Sequence, residues 1–320
     1  MKLEEIGFYT LSDARARAVS WKSDMQRCEL ILTDRCNFKC AYCRGVKKEF
    51  QGDLTLDQAK EVVDTWASGS LHNIRFSGGE PTVWKGLLEL VSYTKSKPSI
   101  QHIAISTNGS ASLSTYLALH ASGVNDFSIS LDACCAMTAD TMAGTNSRFD
   151  HISMVIRELS LLTYVTVGVV IDERNNDELN KIIEYATSLG VADIRIIPSA
   201  QSNHHLSVSV EASHPILKYR VKNLEDGIHV RGLRTNDTHK CHLVKDDMVI
   251  LGGNHFPCVI YMREQGDPTG SVADKSLEEI REERRVWFEK TDTHSEKICS
   301  GNCLDVCVSH NNRVRSFQGE

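Results

Sequence analysis

Between residues 28 and 198 the chain alternates strand and helix signals six times, and that rhythm limits the fold more than any other feature. Residues 28–33 read as a buried strand. Thr55-Leu-Asp-Gln58 has the form of a capping box, and Ala59, Val62, Val63 and Trp66 recur behind it at helical spacing. Residues 73–77 form the second strand signal, and 84–95 the next helix. A strand over 102–106 precedes a helix over 113–121 that Gly123 stops. The fourth strand, 126–131, leads to a helix over 149–162 with Ile152, Val155, Ile156 and Leu159 on one face. A β-branched strand follows at 164–171, then a helix at 177–189 stopped by Gly190, then a sixth strand at 193–198. Such alternation implies parallel strands joined by right-handed crossovers. It does not by itself separate an open doubly wound sheet from a barrel. In either case chemistry gathers at the carboxyl ends of the strands.

The loop after the first strand carries Cys36, Cys40 and Cys43, spaced C-x3-C-x2-C, with Tyr42 before the last. Three thiolates this close can hold three irons of a [4Fe–4S] cube and leave the fourth iron open to a small molecule. Zinc sites more often pair C-x2-C twice, and no second C-x2-C lies nearby. Eleven cysteines is an odd number, and the chain shows no secretory signal, so a disulfide framework is disfavoured. The loop resembles the signature of radical S-adenosylmethionine enzymes. That resemblance implies a partial (β/α)6 TIM-like barrel. It implies a [4Fe–4S] cluster whose open iron takes S-adenosylmethionine. Cleavage would yield a 5′-deoxyadenosyl radical that removes hydrogen from a substrate.

Later loops extend the resemblance. Ser77-Gly-Gly-Glu-Pro81 is similar to the family's GGEP motif, which implies that Gly78, Gly79, Glu80 and Pro81 meet the methionyl amino group. Ser106-Thr-Asn-Gly109 and Ser128-Ile-Ser-Leu-Asp132 resemble segments that meet the ribose or carboxylate, which puts Ser106, Asn108, Ser130 and Asp132 with Tyr42 among the cofactor contacts. The same residue types are good turn formers. Val170 lies where the family has an apolar adenine wall, and plain core packing explains it equally. Asn175 matches a polar family position or a simple turn. Arg195 interrupts an apolar strand, where a charge is expensive unless paired. It could meet the methionyl carboxylate, a substrate anion or a salt-bridge partner.

Five more cysteines follow residue 240: Cys241, Cys258, Cys299, Cys303 and Cys307. Residues 243–251 and 255–262 read as strands around Gly252-Gly-Asn254, a hairpin signal. A helix at 276–290 presents Leu277, Ile280 and Trp287. The plan resembles the twitch domain, a short form of the SPASM extension, and the Gly253-x4-Cys258 spacing agrees. The resemblance implies an auxiliary [4Fe–4S] cluster in a small β-hairpin-plus-helix domain. A full SPASM domain needs further cysteines for two clusters, and the chain closes soon after Cys307, so one auxiliary cluster is expected. Cys241, Cys258 and Cys307 lead as ligands, and Cys299 and Cys303 compete for the fourth place. The one left over, Cys303 among the candidates, is a hydrogen donor or a bystander. Zinc is the competing occupant. Cys134 and Cys135 follow Asp132 and are either hydrogen donors at the barrel mouth or small buried hydrophobes. Cys28 reads as structural. His204, His205, His239, His242 and His255 share no metal spacing and read mostly as surface or supporting residues.

The expected division is an extended lead-in over 1–27, a radical S-adenosylmethionine barrel over 28–230 and the auxiliary domain over 231–320. A net charge of −6 without a basic run gives no sign of a nucleic-acid partner. No apolar stretch approaches the roughly 20 residues that span a bilayer, so no membrane partner is expected. Thiolate-bound iron–sulfur clusters point to a reducing cytoplasm. The expected activity is hydrogen abstraction from a peptide or small molecule, ending in epimerisation, dehydrogenation or cross-linking. An electron donor such as flavodoxin or ferredoxin is implied. Only 35 residues precede Cys36, too few for a leader-peptide domain, which tilts the expectation to a separately held leader, a short peptide or a small metabolite. Nucleotide rearrangement is the alternative, because Thr-Asp-Arg-Cys-Asn-Phe-Lys-Cys resembles the molybdenum cofactor cyclase. That family ends in a glycine pair, whereas here the chain reads Phe317-Gln-Gly-Glu320. A non-catalytic iron–sulfur or zinc scaffold is the alternative of another class, and it needs no cofactor-type loops.

Overall fold

The computed structural model describes residues 9–45, 52–200 and 206–319. Its core is six strand–helix units. They run β1 (Arg27–Thr33), α2 (Leu56–Ser68), β2 (Asn73–Gly78), α3 (Leu87–Lys95), β3 (His102–Thr107), α4 (Leu113–Ala121), β4 (Asp126–Ser130), α5 (Ala136–Ala143), α6 (Phe149–Ser160), β5 (Tyr164–Ile171), α7 (Leu179–Ser188), β6 (Asp193–Pro198) and α8 (Pro215–Glu225). Before them stands α1 (Asp13–Ala18). After them come β7 (Asp247–Leu251), β8 (Asn254–Phe256), α9 (Val259–Arg263), β9 (Gly270–Ser271), α10 (Leu277–Lys290), α11 (Lys297–Asn302) and α12 (Asp305–Gln318). The capping box forms as read: Thr55 accepts from Gln58 N and the Gln58 side chain answers the Thr55 N–H.

The strands make one sheet in the order β6-β5-β4-β3-β2-β1-β7-β8-β9. From β1 to β6 every crossover moves one place in the same direction. Right-handed crossovers then put all the helices on one face, and the sheet curls into a partial (β/α)6 barrel rather than a doubly wound sheet. Alternate residues face the helices: Leu30, Phe76, Ile105, Phe127, Val167 and Ile194 pack with Val63, Trp66, Leu90 and Ile156 in the main core. The intervening residues face inward, and they are strongly polar: Arg27, Glu29, Arg75, Asp126, Ser128, Thr166 and Arg195 all line one interior cavity.

The carboxy-terminal segment departs from its sequence reading. β7 pairs in parallel with β1, so the hairpin continues the barrel sheet. Residues 243–245, expected as strand, fall within a 3-10 turn over His242–Lys245, and the strand begins at Asp247. The second expected strand stops at Phe256, because Pro257 offers no N–H to a ladder, and the chain goes on into α9. Gly252 and Gly253, both at positive φ, make the tight turn between Leu251 and Asn254. The lead-in is not extended throughout. Ser12 caps α1, and Ala16 and Val19 pack against Val314 of α12. Arg15 meets Asp246 at 2.6 Å in the interior. Helices α5, α8, α11 and α12 are not among the elements expected from the sequence. Of the histidines read mostly as surface or supporting residues, His242 and His255 are fully buried and His239 is exposed; His204 and His205 lie outside the described residues. No described helix is long and apolar enough to cross a membrane.

Candidate active site

The cysteine loop leaves β1 and is clamped from two sides. Gly79 N donates to Thr33 O at 2.8 Å, and Glu80 N to Arg35 O at 2.8 Å. Lys39 N and Ala41 N donate to Ala143 O and Met142 O at the end of α5. The two glycines are required by this approach. A Cβ on Gly78 would sit 2.4 Å from Thr33 O, and one on Gly79 would sit 2.2 Å from Arg35 O. Cys36 and Cys43 are exposed and Cys40 is half-buried. Burial, with Asp132 nearby, pushes the Cys40 thiol up to about 12. Burial also raises Cys36. Loading iron here must therefore release protons.

Under this loop lies a cavity of about 220 Å³. Its lining brings together Cys36, Cys40, Cys43 and Tyr42 with Gly78, Gly79, Ser106, Asn108, Ser130 and Asp132. The ends of β1, β2, β3 and β4 thus meet at one place. Their charges are tightly held. Tyr42 donates its hydroxyl to Asp132 Oδ2, and Val170 N donates to Asp132 Oδ1 at 2.7 Å. Burial pushes the Asp132 carboxyl up to about 6 and holds Tyr42 well above its ordinary value. Asn175 Nδ2 donates to Asp132 O and Val170 O, both at 2.8 Å, tying β4 to β5. Asn108 Nδ2 donates to Asn37 Oδ1 at 2.9 Å and stands 3.8 Å from Cys36 Sγ.

Other sequence candidates sit elsewhere. Glu80 is fully buried and does not line the cavity. Its carboxylate accepts from Thr107 Oγ1, Asn108 N, Thr82 N and Thr82 Oγ1 at 2.7 to 3.1 Å, so it clamps the end of β3 to the end of β2. Pro81 opens the short helical turn behind it. Val170 contributes its N–H to Asp132 and no cavity wall. Cys134 and Cys135 line neither this cavity nor the barrel interior; Cys135 Sγ lies 3.3 Å from Thr138 Oγ1 as α5 begins. Arg195 faces the barrel interior, the neighbouring cavity. The sequence reading missed the apolar lining residues Phe38, Ala139, Ala143, Phe149 and Ile152, and one charged one. Arg263, on α9, donates to Gly45 O at 2.7 Å and Gly78 O at 3.1 Å. No local pattern marks it, because its partners lie far off in the chain.

The five later cysteines converge on a second place. Cys241, Cys258, Cys299, Cys303 and Cys307 line one small, mostly apolar pocket at the ends of α9, α11 and α12. Burial pushes Cys241 up to about 11 and raises Cys258 and Cys299, while Cys303 is raised first by its hydrogen bond to Cys307 and then by burial. Among the described residues no three such side chains are drawn into a ready cage for a single metal ion. The donor set is all thiol. Such soft ligands suit an iron–sulfur cluster, and the cysteine loop fits the three-ligand kind equally.

Residues 30–186 match the radical SAM superfamily. The GTP 3′,8-cyclase of Ectopseudomonas mendocina is 32% identical over 177 residues, 52% of this chain and 52% of that protein. The GTP 3′,8-cyclase of Alkaliphilus metalliredigens is 37% identical over 108 residues, 32% of this chain and 34% of that one. The chain spans about half the length, or less, of these curated relatives. Among solved structures, Streptococcus suis SuiB bound to precursor peptide SuiA has a TM-score of 0.62 at 12% identity, covering 88% of this chain and 68% of that one. The structure of anSMEcpe with bound AdoMet and Cp18Cys peptide has a TM-score of 0.60 at 14% identity, covering 92% of this chain and 97% of that one. At such identities the likeness concerns the fold alone.

Proposed function

Because residues 30–186 of this chain are a radical SAM domain, we propose that it is an enzyme that abstracts hydrogen from a small molecule or peptide and leads to epimerisation, dehydrogenation or cross-linking. The single observation that carries this reading is the cavity of about 220 Å³ where the three loop cysteines meet the ends of β2, β3 and β4. Cys36, Cys40 and Cys43 would hold the [4Fe–4S] cluster. Cluster and S-adenosylmethionine together supply the 5′-deoxyadenosyl radical. The chain's own part is placement. Glu80 fixes Asn108 beside Cys36, and Asp132 fixes Tyr42 beside Cys43. Glu80 is buried in its own hydrogen bonds, which leaves Tyr42, Gly78, Gly79, Ser106, Asn108, Ser130 and Asp132 to face a bound cofactor. The five later cysteines would hold one auxiliary cluster, with Cys241, Cys258 and Cys307 and either Cys299 or Cys303 as ligands. A flavodoxin or ferredoxin would deliver the electron, in a cytoplasm.

The test is an oxygen-free reconstitution with S-adenosylmethionine and strong reductant. The wild type should form 5′-deoxyadenosine, and the triple variant Cys36→Ala, Cys40→Ala, Cys43→Ala should not. Equal product from both, or none from either, refutes the reading. The variant should keep about four irons, one cube's worth; no retained iron sinks the auxiliary cluster.

Nucleotide rearrangement is the second reading. It is favoured by the relatives named GTP 3′,8-cyclase and by the arginine-rich barrel interior. GTP added to the reduced enzyme should then give a rearranged nucleotide, and unchanged GTP rejects it.

A further inference from the structure

A second cavity, of about 230 Å³, fills the barrel interior. It shares Ser106 with the cavity under the cysteine loop, and Cys258 and Cys307 with the five-thiol pocket. It therefore lies between the two cysteine sites. Three guanidinium groups on its wall are incompletely used. Arg75, 7% exposed, gives Nη1 to Ser106 Oγ at 3.0 Å and Nη2 to Asp126 Oδ2 at 2.9 Å, and its Nε has no partner. Arg220, 1% exposed, gives Nη2 to Asp305 Oδ1 at 2.9 Å and leaves Nε and Nη1 unpartnered. Arg195 gives Nη2 to Ser128 Oγ at 3.1 Å, leaves Nε unpartnered, and makes no ion pair among the described residues.

A buried donor without an acceptor is costly, and a buried charge without a counter-charge more so. The carboxylates nearby do not cancel these cations. Asp126 answers Arg75, Asp305 answers Arg220, Glu29 answers Arg27, and the neighbouring pair Asp246 and Asp247 faces Arg15 and the buried Arg284. Arg195 is the surplus charge. Planar guanidinium forks suit the paired oxygens of a phosphate or carboxylate.

We infer that the barrel cavity binds a small-molecule substrate through an oxyanion group held by Arg75, Arg195 and Arg220. This deepens the reading above and rests on it only for calling the ligand a substrate. The anion is the handle. It seats the rest of the molecule between the cysteine loop and the five thiols, where its carbon–hydrogen bonds come within reach of chemistry at the Ser106 end.

The test is calorimetric titration of the full reconstituted chain with inorganic pyrophosphate and with malonate, at matched ionic strength against chloride. At least one should bind. Preference for pyrophosphate marks a phosphate ester as substrate, and preference for malonate marks a carboxylate. Arg195→Gln should raise the dissociation constant about tenfold or more. Arg195→Lys keeps the charge and should weaken binding only severalfold; it also serves should the glutamine variant fail to fold. Arg285→Gln, on the exposed face of α10, should bind as wild type does. The inference is overturned when neither anion binds beyond the chloride blank, or when a folded Arg195 variant binds as tightly as wild type. The two readings separate cleanly. A protein that forms 5′-deoxyadenosine but ignores both anions loses the anion site alone. One that binds an anion through Arg195 but never cleaves S-adenosylmethionine keeps the site and loses the enzymatic reading.

Discussion

Replacing Gly79 with alanine tests how the cofactor cavity is assembled. The new Cβ would stand 2.2 Å from Arg35 O, 2.6 Å from Arg35 C and 2.7 Å from Asp34 O. All three are backbone atoms, so no side chain can swing away. The cysteine loop must retreat from β2, and the bonds Gly79 N to Thr33 O and Glu80 N to Arg35 O stretch beyond use. Two hydrogen bonds at about 1 kcal/mol each, plus about 1–3 kcal/mol for overpacking, give a loss of about 3–5 kcal/mol. That is a large share of an ordinary domain's stability. At about 2 °C per kcal/mol for a chain of this size, the melting temperature should fall by roughly 6–10 °C. The loop iron should load poorly, because its three cysteines lose their common anchor. Gly227→Ala is the control. Gly227 has φ +71° but nothing within 4 Å of its would-be Cβ, so only the left-handed backbone cost of about 1–2 kcal/mol applies. Scanning calorimetry and iron per chain measure both. A Gly79→Ala protein that melts within about 2 °C of wild type and loads full iron would refute the crowding argument.

Three further outcomes are expected. Arg284, fully buried, donates to Val244 O, Phe256 O and Asp247 O at 2.7, 3.0 and 2.5 Å. Arg284→Met strands these carbonyls and should cost about 3 kcal/mol or more in urea unfolding; a loss under about 1 kcal/mol contradicts it. Burial, aided by Arg15 and His242, holds the His310 imidazole down to about 2. The unfolded chain takes up that proton near pH 6.5, so the stability conferred by the neutral ring is complete above that pH and is lost as pH falls toward the folded value. The slope is about 1.4 kcal/mol per pH unit, and His310→Leu should flatten the acid limb between pH 6 and 5 by about that much, with an unchanged slope as the refuting result. Asp132→Asn leaves one carbonyl oxygen for two donors, Tyr42 Oη–H and Val170 N–H. It should cost about 1–3 kcal/mol and lower iron retention in the loop, and iron binding equal to wild type would show that Tyr42 does not anchor it.

Much of this protein was written locally. The apolar stripe of α2, its Thr55 cap and the β-branched run of β5 depend on neighbours within a turn or a pleat, so reading them needs no knowledge of the fold. The C-x3-C-x2-C loop and the Gly-Gly pair are equally local, and their place after β1 and β2 follows from the strand–helix rhythm. What only the tertiary structure decided involves partners far apart in the chain. Strand signals showed buried residues without saying that one face would be charged, because an inward Arg75 is tolerable only once Asp126 arrives opposite it. Glu80 reads in the sequence as a cofactor contact, and that its oxygens also accept from Thr107 and Asn108 shows only once β3 stands beside β2. The hairpin was legible from Gly252-Gly253, but its seat beside β1 was not, since edge pairing depends on which strand is left uncovered. Arg263 reaches the cysteine loop because α9 follows that hairpin. Periodicity records the faces of single elements; which faces meet, and which charges are thereby left unpaired, is settled by packing alone.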